Sequence, residues 1–131
     1  MTSVPKASAL IEGVIAFLQN EVATSPDARL AFHGRVAANA LAIAGRDMAL
    51  GDVAERAAAN RLQPLLGLLG ERDMLDRALC AQIAEGRIDD GNPGLLAHLW
   101  FSTMDALSID QPTYAAYMRA LADDPRTAGE E

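Results

Sequence analysis

Three residue types that make up a nucleophilic triad, His98, Ser102 and Asp105, sit at spacings of four and three residues. On a helix that spacing places all three on one face. The same geometry rules out the chemistry. His98 and Asp105 would lie about 10 Å apart along the axis with Ser102 between them, whereas a triad needs the imidazole in the middle, touching both partners. No Gly-x-Ser-x-Gly elbow is present. The three residues are therefore expected to form an exposed polar face. The chain has two histidines and one cysteine and lacks a Glu-x-x-His pair, so neither a zinc site nor a di-iron carboxylate bundle can be assembled. No metal or other cofactor is expected. Gly67 and Gly70 lack the strand and further glycines of a nucleotide loop. Asp89 and Asp90 before Gly91 read as a turn.

A second constellation is more informative. In the segment from Leu30 to Leu50, Arg35, Asn39 and Arg46 fall within about 40° of one another on a helix that is otherwise small or apolar nearly all round. Arg35 and Arg46 are separated by about 16 Å along the axis, too far to share one small anion but able to flank a groove. Three readings are open. The arginines pair with carboxylates of neighbouring helices while Asn39 satisfies a backbone group. Alternatively they bind a carboxylate or phosphate, or they belong to a subunit interface. His33, on the flank of the same helix, reads either as a hydrogen-bonded imidazole or as a proton-transfer group beside the arginines. The candidate ligand-binding residues are thus Arg35, Asn39, Arg46 and His33, and no catalytic residue is assigned.

Helices must position these groups. Alanine and leucine dominate and strand-forming runs are absent. A first helix is expected from about Ala7 to Val22. A second opens at Ser25-Pro26-Asp27 and stops at Leu50 before Gly51; a third runs from Asp52 to Leu69 with a kink or break at Pro64. A fourth is expected over Glu71 to Glu85, with Leu75, Ala78, Leu79 and Ile83 as its core stripe and Gly86 as its stop. Asn92-Pro93 caps a fifth that reaches Ser108, with Leu95, Leu96, Leu99, Trp100, Thr103, Ala106 and Leu107 facing the core. A short last helix follows Pro112. The predicted architecture is all-α, a single domain over residues 1–131. It is a bundle of five to six helices around the buried apolar helix of Leu30 to Leu50, with flexible ends at 1–6 and 123–131.

The chain has 131 residues, 50% of them hydrophobic, and a formal net charge of -7. That balance builds a packed core and repels phosphate backbones, so nucleic acid is not an expected partner. No apolar run reaches membrane-spanning length and the N-terminus lacks a secretory pattern, which implies a cytoplasmic protein. The lone Cys80, among apolar neighbours, is expected to be a buried thiol.

The stretch Phe32-His33-Gly34-Arg35-Val36-Ala37-Ala38-Asn39-Ala40-Leu41-Ala42-Ile43, closing with Arg46-Asp47-Met48, resembles the signature of an uncharacterised bacterial all-helical domain family. Asp76-Arg77-Ala78-Leu79-Cys80, Leu95-Leu96-Ala97-His98-Leu99 and Ile109-Asp110-Gln111-Pro112-Thr113-Tyr114 carry the same likeness. Ala106 stands where that pattern has Lys. Members of the family are often encoded beside aminoglycoside-phosphotransferase-like kinases and acyl-CoA dehydrogenases. The resemblance implies a context of acyl-CoA or small-molecule catabolism and marks Arg35, Asn39 and Arg46 as motif positions without roles. Because no catalytic set is assembled and a compact bundle suits the role, the expected function is a non-catalytic accessory protein that binds such a kinase-like phosphotransferase or acyl-CoA dehydrogenase, or a second copy of itself. The alternative it leaves is a small-molecule binder whose arginines face an acyl-CoA, phosphorylated or carboxylate ligand; an enzyme using His33 is a weaker one.

Overall fold

A computed structural model describes residues 3–127. Among them are five α-helices and no strand: α1 (Ala7–Phe17), α2 (Ala28–Leu66), α3 (Arg72–Ala84), α4 (Pro93–Asp110) and α5 (Ala115–Leu121). The chain is all-α, as its composition requires. It divides into two compact units, one ending at Ala49 and the other beginning at Leu50, with α2 contributing to both. No helix is long and apolar enough to cross a membrane.

In the first unit α1 continues into a π-helical turn, Leu18–Val22, closed by the Ala23 amide donating to the Leu18 carbonyl at 2.7 Å. The chain then reverses at Ser25-Pro26. Asp27 caps α2, its Oδ1 accepting from the amides of Arg29 (3.0 Å) and Leu30 (3.3 Å). Two close approaches set the pairing of the helices: Val22 lies against Gly34, and Ile11 against Gly45. Eleven residues separate the contacts on each helix, in opposite order, so the two run antiparallel. The half-buried residues of the first arm, Ile11, Ile15, Leu18 and Val22, recur every three or four positions. The buried residues of α2 in this unit are all small, Ala31, Gly34 and Ala38.

The second helix differs from expectation in two ways. It does not stop at Gly51 but runs unbroken for 39 residues and past Pro64 to Leu66. A single helical glycine costs only about 1 kcal/mol, which the flanking Ala- and Leu-rich segments outweigh. Pro64 lies in the last turn, where one lost donor ends the helix soon afterwards rather than breaking it. The true stop is Gly67 at φ +67°, whose amide donates to Gln63. Nor is this helix buried nearly all round, since Phe32, Val36 and Met48 remain exposed. Only α1 covers it within its unit, and one neighbour shields one side.

The second unit packs residues 50–66 of α2 with α3, α4 and α5. Leu62, Leu75, Leu79, Ile88 and Leu95 form its core, with Ala59, Leu65 and Leu66 against it. The Arg72 guanidinium bridges Asp76 (2.9 Å) on its own helix and Glu55 (3.3 Å) on α2. Gly86, at φ +74°, turns the chain out of α3, and the Asn92 side chain caps α4 through the amides of Gly94 and Leu95. Leu75 and Leu79 are buried as the periodicity of α3 predicts, but Ile83 and Cys80 are exposed, correcting the reading of Cys80 as a core thiol.

A Cβ added at Gly34 would meet Val22 Cγ1 at 2.7 Å and the Ala23 amide nitrogen at 3.1 Å, whereas at Gly45 the nearest atom is 3.5 Å away. Gly34→Ala is therefore expected to lose about 1–2 kcal/mol in urea denaturation despite its better helix propensity. Gly45→Ala should gain up to about 1 kcal/mol. Equal effects of the two substitutions would contradict the antiparallel contact.

Candidate functional site

Arg35, Asn39 and Arg46 share one strip of α2 in the first unit. Arg35 and Asn39 are exposed, and among the described residues neither side chain makes a hydrogen bond or ion pair. Arg46 is half-buried and has a partner. His33 is exposed roughly 140° round the helix from that strip, so the structure does not bring it to the arginines. Its ring meets Phe32 edge-on with centroids 5.8 Å apart.

A denser polar cluster lies in the second unit, where α4 faces α2. His98 is only 3% exposed and Ser102 is half-buried. The Arg61 guanidinium donates through Nε to His98 Nδ1 (3.4 Å) and through Nη2 to the Ser102 hydroxyl (3.2 Å). Asp105, on the same side of α4, accepts from Arg126 Nη1 at 2.7 Å. Arg126 also grips the buried Asp124 in a fork, with Nε to Oδ1 at 3.1 Å and Nη2 to Oδ2 at 2.8 Å. Both guanidiniums stand over the Phe101 ring, Arg61 at 5.4 Å and Arg126 at 4.7 Å from its centroid. Part of the segment expected to be flexible, Asp123 to Thr127, is thus an ordered turn fastened to α4; residues 128–131 of that segment lie outside the described ones.

The sequence grouped His98, Ser102 and Asp105 on one face of a helix, which is where they are, but expected that face to be exposed. It is the inner face. The cause is Arg61, which stands at helical spacing among Ala58, Leu62 and Leu65 on the apolar stripe of α2 and needs hydrogen-bond acceptors there. A charge inside an apolar stripe was the signal available for Arg61. Arg126, in a polar tail, offered none. With the polar side turned in, Leu96 (52% exposed), Leu99 and Trp100 (40%) of α4 face outward, against expectation. With Thr103 and Pro125 they line a shallow groove of about 630 Å³.

Burial lowers the affinity of His98 for a proton, and the Arg61 and Arg72 charges lower it further, while Asp76 opposes them. The neutral ring carries its proton on Nε2 so that Nδ1 can accept from Arg61. Burial likewise lowers Arg61, with Asp105 opposing and Arg126 and Arg72 adding to the fall. Asp124 is held below the ordinary carboxylate range chiefly by its hydrogen bond from Arg126, burial opposing. Arg126 is raised, first by that same hydrogen bond. In chemical terms this cluster holds a fixed pair of cations on one ring, with their carboxylates beside them. His98 is not placed to accept a proton from Ser102, because Arg61 occupies both.

A family model described as a domain of unknown function, DUF6285, matches residues 24–114. The chain belongs to the DUF6285 family. The matched region takes in α2, α3 and α4, with Arg35, Asn39, Arg46, Arg61, His98, Ser102 and Asp105, while α1, Asp124 and Arg126 fall outside it. No curated protein and no solved structure matches the chain.

In this DUF6285 chain the lowered proton affinity of His98 makes stability depend on pH. The unfolded histidine takes up a proton near pH 6.5 and the folded one only at lower pH, so the His98 contribution is complete above 6.5 and is lost on acidification below it. The depressed Asp124 contributes above its ordinary value of 3.8 and loses its effect only below that. Unfolding free energy should therefore decline as the pH falls below about 6.5, and the decline should be much smaller in His98→Gln, which keeps an acceptor for Arg61 without titrating. An unchanged slope in that variant would remove His98 as its source.

Proposed function

We propose that this DUF6285 chain is a non-catalytic, cytoplasmic accessory protein that binds a partner through the outward face of α4. The observation that carries this reading is the orientation of that helix: His98, Ser102 and Asp105 are directed inward, and Leu96, Leu99 and Trp100 are left in water over a groove of about 630 Å³. Exposed apolar residues at i, i+3 and i+4 are the anchor pattern by which a helix engages an apolar strip on another protein. The resemblance names the partners to try first, a kinase-like phosphotransferase and an acyl-CoA dehydrogenase.

Trp100 is the single tryptophan, so its emission reports directly on this face. A cognate partner should shift that emission to the blue and co-elute with the chain. Leu99→Glu should abolish co-elution without changing the melting temperature, since the residue is exposed. Absence of a complex with either protein at tens of micromolar, with Trp100 emission unmoved, would defeat the proposal.

A second reading, an anionic-ligand site, is favoured by the exposed and unengaged side chains of Arg35 and Asn39. It expects an acyl-CoA, a sugar phosphate or a dicarboxylate to raise the melting temperature by a few degrees, and Arg35→Ala to cancel the rise. No shift with any of the three at millimolar concentration would eliminate it.

A further inference from the structure

The first unit is a two-helix hairpin in which the half-buried Ile11, Ile15, Leu18 and Val22 meet small residues of α2, and its other large side chains lie outside that contact. Leu10, Val14 and Phe17 of α1 are 57%, 47% and 55% exposed, and Leu30 and Met48 of α2 are 48% and 61%. Their placement follows from the two fixed contacts, Val22 at Gly34 and Ile11 at Gly45. Both helices are right-handed and they run antiparallel. Counting 100° per residue from those contacts brings Leu10, Val14 and Phe17 to the same side of the hairpin as Leu30, Ala37, Ala44 and Met48, with Ala40 at its edge. Arg35, Asn39 and Arg46 fall toward the opposite side. One face of the hairpin therefore carries a ridge of large residues on α1 beside a groove of alanines on α2.

We infer that this face is a self-association surface, on which a second copy of the chain packs to form a four-helix bundle. The argument is one of shape and area. A two-fold axis lying in the face and parallel to the helices sets the ridge of one copy over the groove of the other, without sliding either along its length. The contacts pair α1 position 11 with α2 position 45 and position 22 with 34. By the same count Leu10 stands level with position 46, Val14 with 42 and Phe17 with 39. Across the axis each ridge residue then meets a gap in the partner: Leu10 between Met48 and Ala44, Val14 between Ala44 and Ala40, and Phe17 between Ala40 and Ala37. This is the interdigitation that antiparallel four-helix bundles use. The exposed parts of the five large residues and the alanines amount to roughly 500 Å² per copy, about 1,000 Å² for the pair, the size at which specific interfaces begin. The inference is independent of the α4 face and of its partner.

Sedimentation of the full chain from about 2 to 200 µM should show a reversible monomer–dimer equilibrium, the association expected of a face this size. Val14→Glu should shift it at least tenfold toward monomer with helix content unchanged by circular dichroism. Phe32→Glu, an exposed apolar position away from the ridge and groove, should leave it as it was. A chain that stays monomeric at 200 µM, or a dimer broken by Phe32→Glu but not by Val14→Glu, overturns the inference. The arrangement has its own test in a Cys80→Ser background. An oxidised mixture of Val14→Cys and Ala44→Cys chains should give the mixed cross-linked dimer. If Val14→Cys cross-links to itself instead, the helices pair α1 on α1 and the ridge-in-groove packing is wrong.

Discussion

The placement of the Arg61 guanidinium decides much of the second unit. The residue occupies a helical position between Ala58 and Leu65, on the stripe of α2 that α4 covers, so its charge loses water when the helices meet. A desolvated guanidinium requires acceptors and a compensating charge. Acceptors come from His98 and Ser102, one helical turn apart on α4, and this requirement, with the burial of Leu95 in the core, turns that polar side of α4 inward. Charge compensation is collective. Arg61 and Arg126 bring two cations to Phe101, and Asp105 and Asp124 bring two carboxylates, Asp105 attracting Arg61 while bonded to Arg126. The cluster is neutral as a whole, which is what permits it to be partly buried. The turn around Asp124 belongs to the same balance, since Arg126 reaches both carboxylates from it.

The two units are held by different means. The second has an ordinary apolar core, with Leu62 and Leu75 wholly removed from solvent, and the arginine cluster beside it. The first has no large buried residue; what it buries is Ala31, Gly34 and Ala38. Small residues bring the axes close and gain dispersion contacts along the backbone, but they remove little apolar area from water. The larger apolar groups of α1, apart from its half-buried inner stripe, are consequently left outside. This is the reverse of the usual distribution, in which the bulkiest apolar side chains are the most buried.

Much of the fold was legible from local chemistry. Ser25-Pro26-Asp27, Asn92-Pro93 and Gly86 act on the backbone within a turn of themselves, and each does what its residue type dictates. What was not legible depends on contacts distant in sequence. Gly51 reads as a stop, yet nothing in the structure requires a break there and the helix runs through. Leucines and alanines occupy one broad side of α4, so the apolar pattern selected that side as the core face; the acceptors that Arg61 needs, 37 residues after it at His98, lie on the other. The sharing of one face by His98, Ser102 and Asp105 followed from spacing alone, whereas whether that face was wet or dry did not. Arg35, Asn39 and Arg46 likewise share a strip as their spacing demands, but the depth of that strip was set by how little of α2 the single neighbour α1 covers.

These features bear jointly on what the surfaces can do. In the second unit the groups with chemical potential are engaged with one another: the His98 acceptor is taken, burial and Arg61 disfavour its protonation, and the Asp105 carboxylate is tied to a guanidinium. Their effect on the outside is indirect. By requiring one face of α4 they expose the other, and the ring of Phe101, which the two arginines fix, forms part of the floor on which the exposed Trp100 and Leu96 stand. An apolar surface anchored from beneath by a charge cluster cannot easily rotate its anchors back into the core, because doing so would strip Arg61 of both its acceptors. The polar interior thus keeps the apolar exterior in place, so the face is already ordered and no further side-chain order would be needed to cover it.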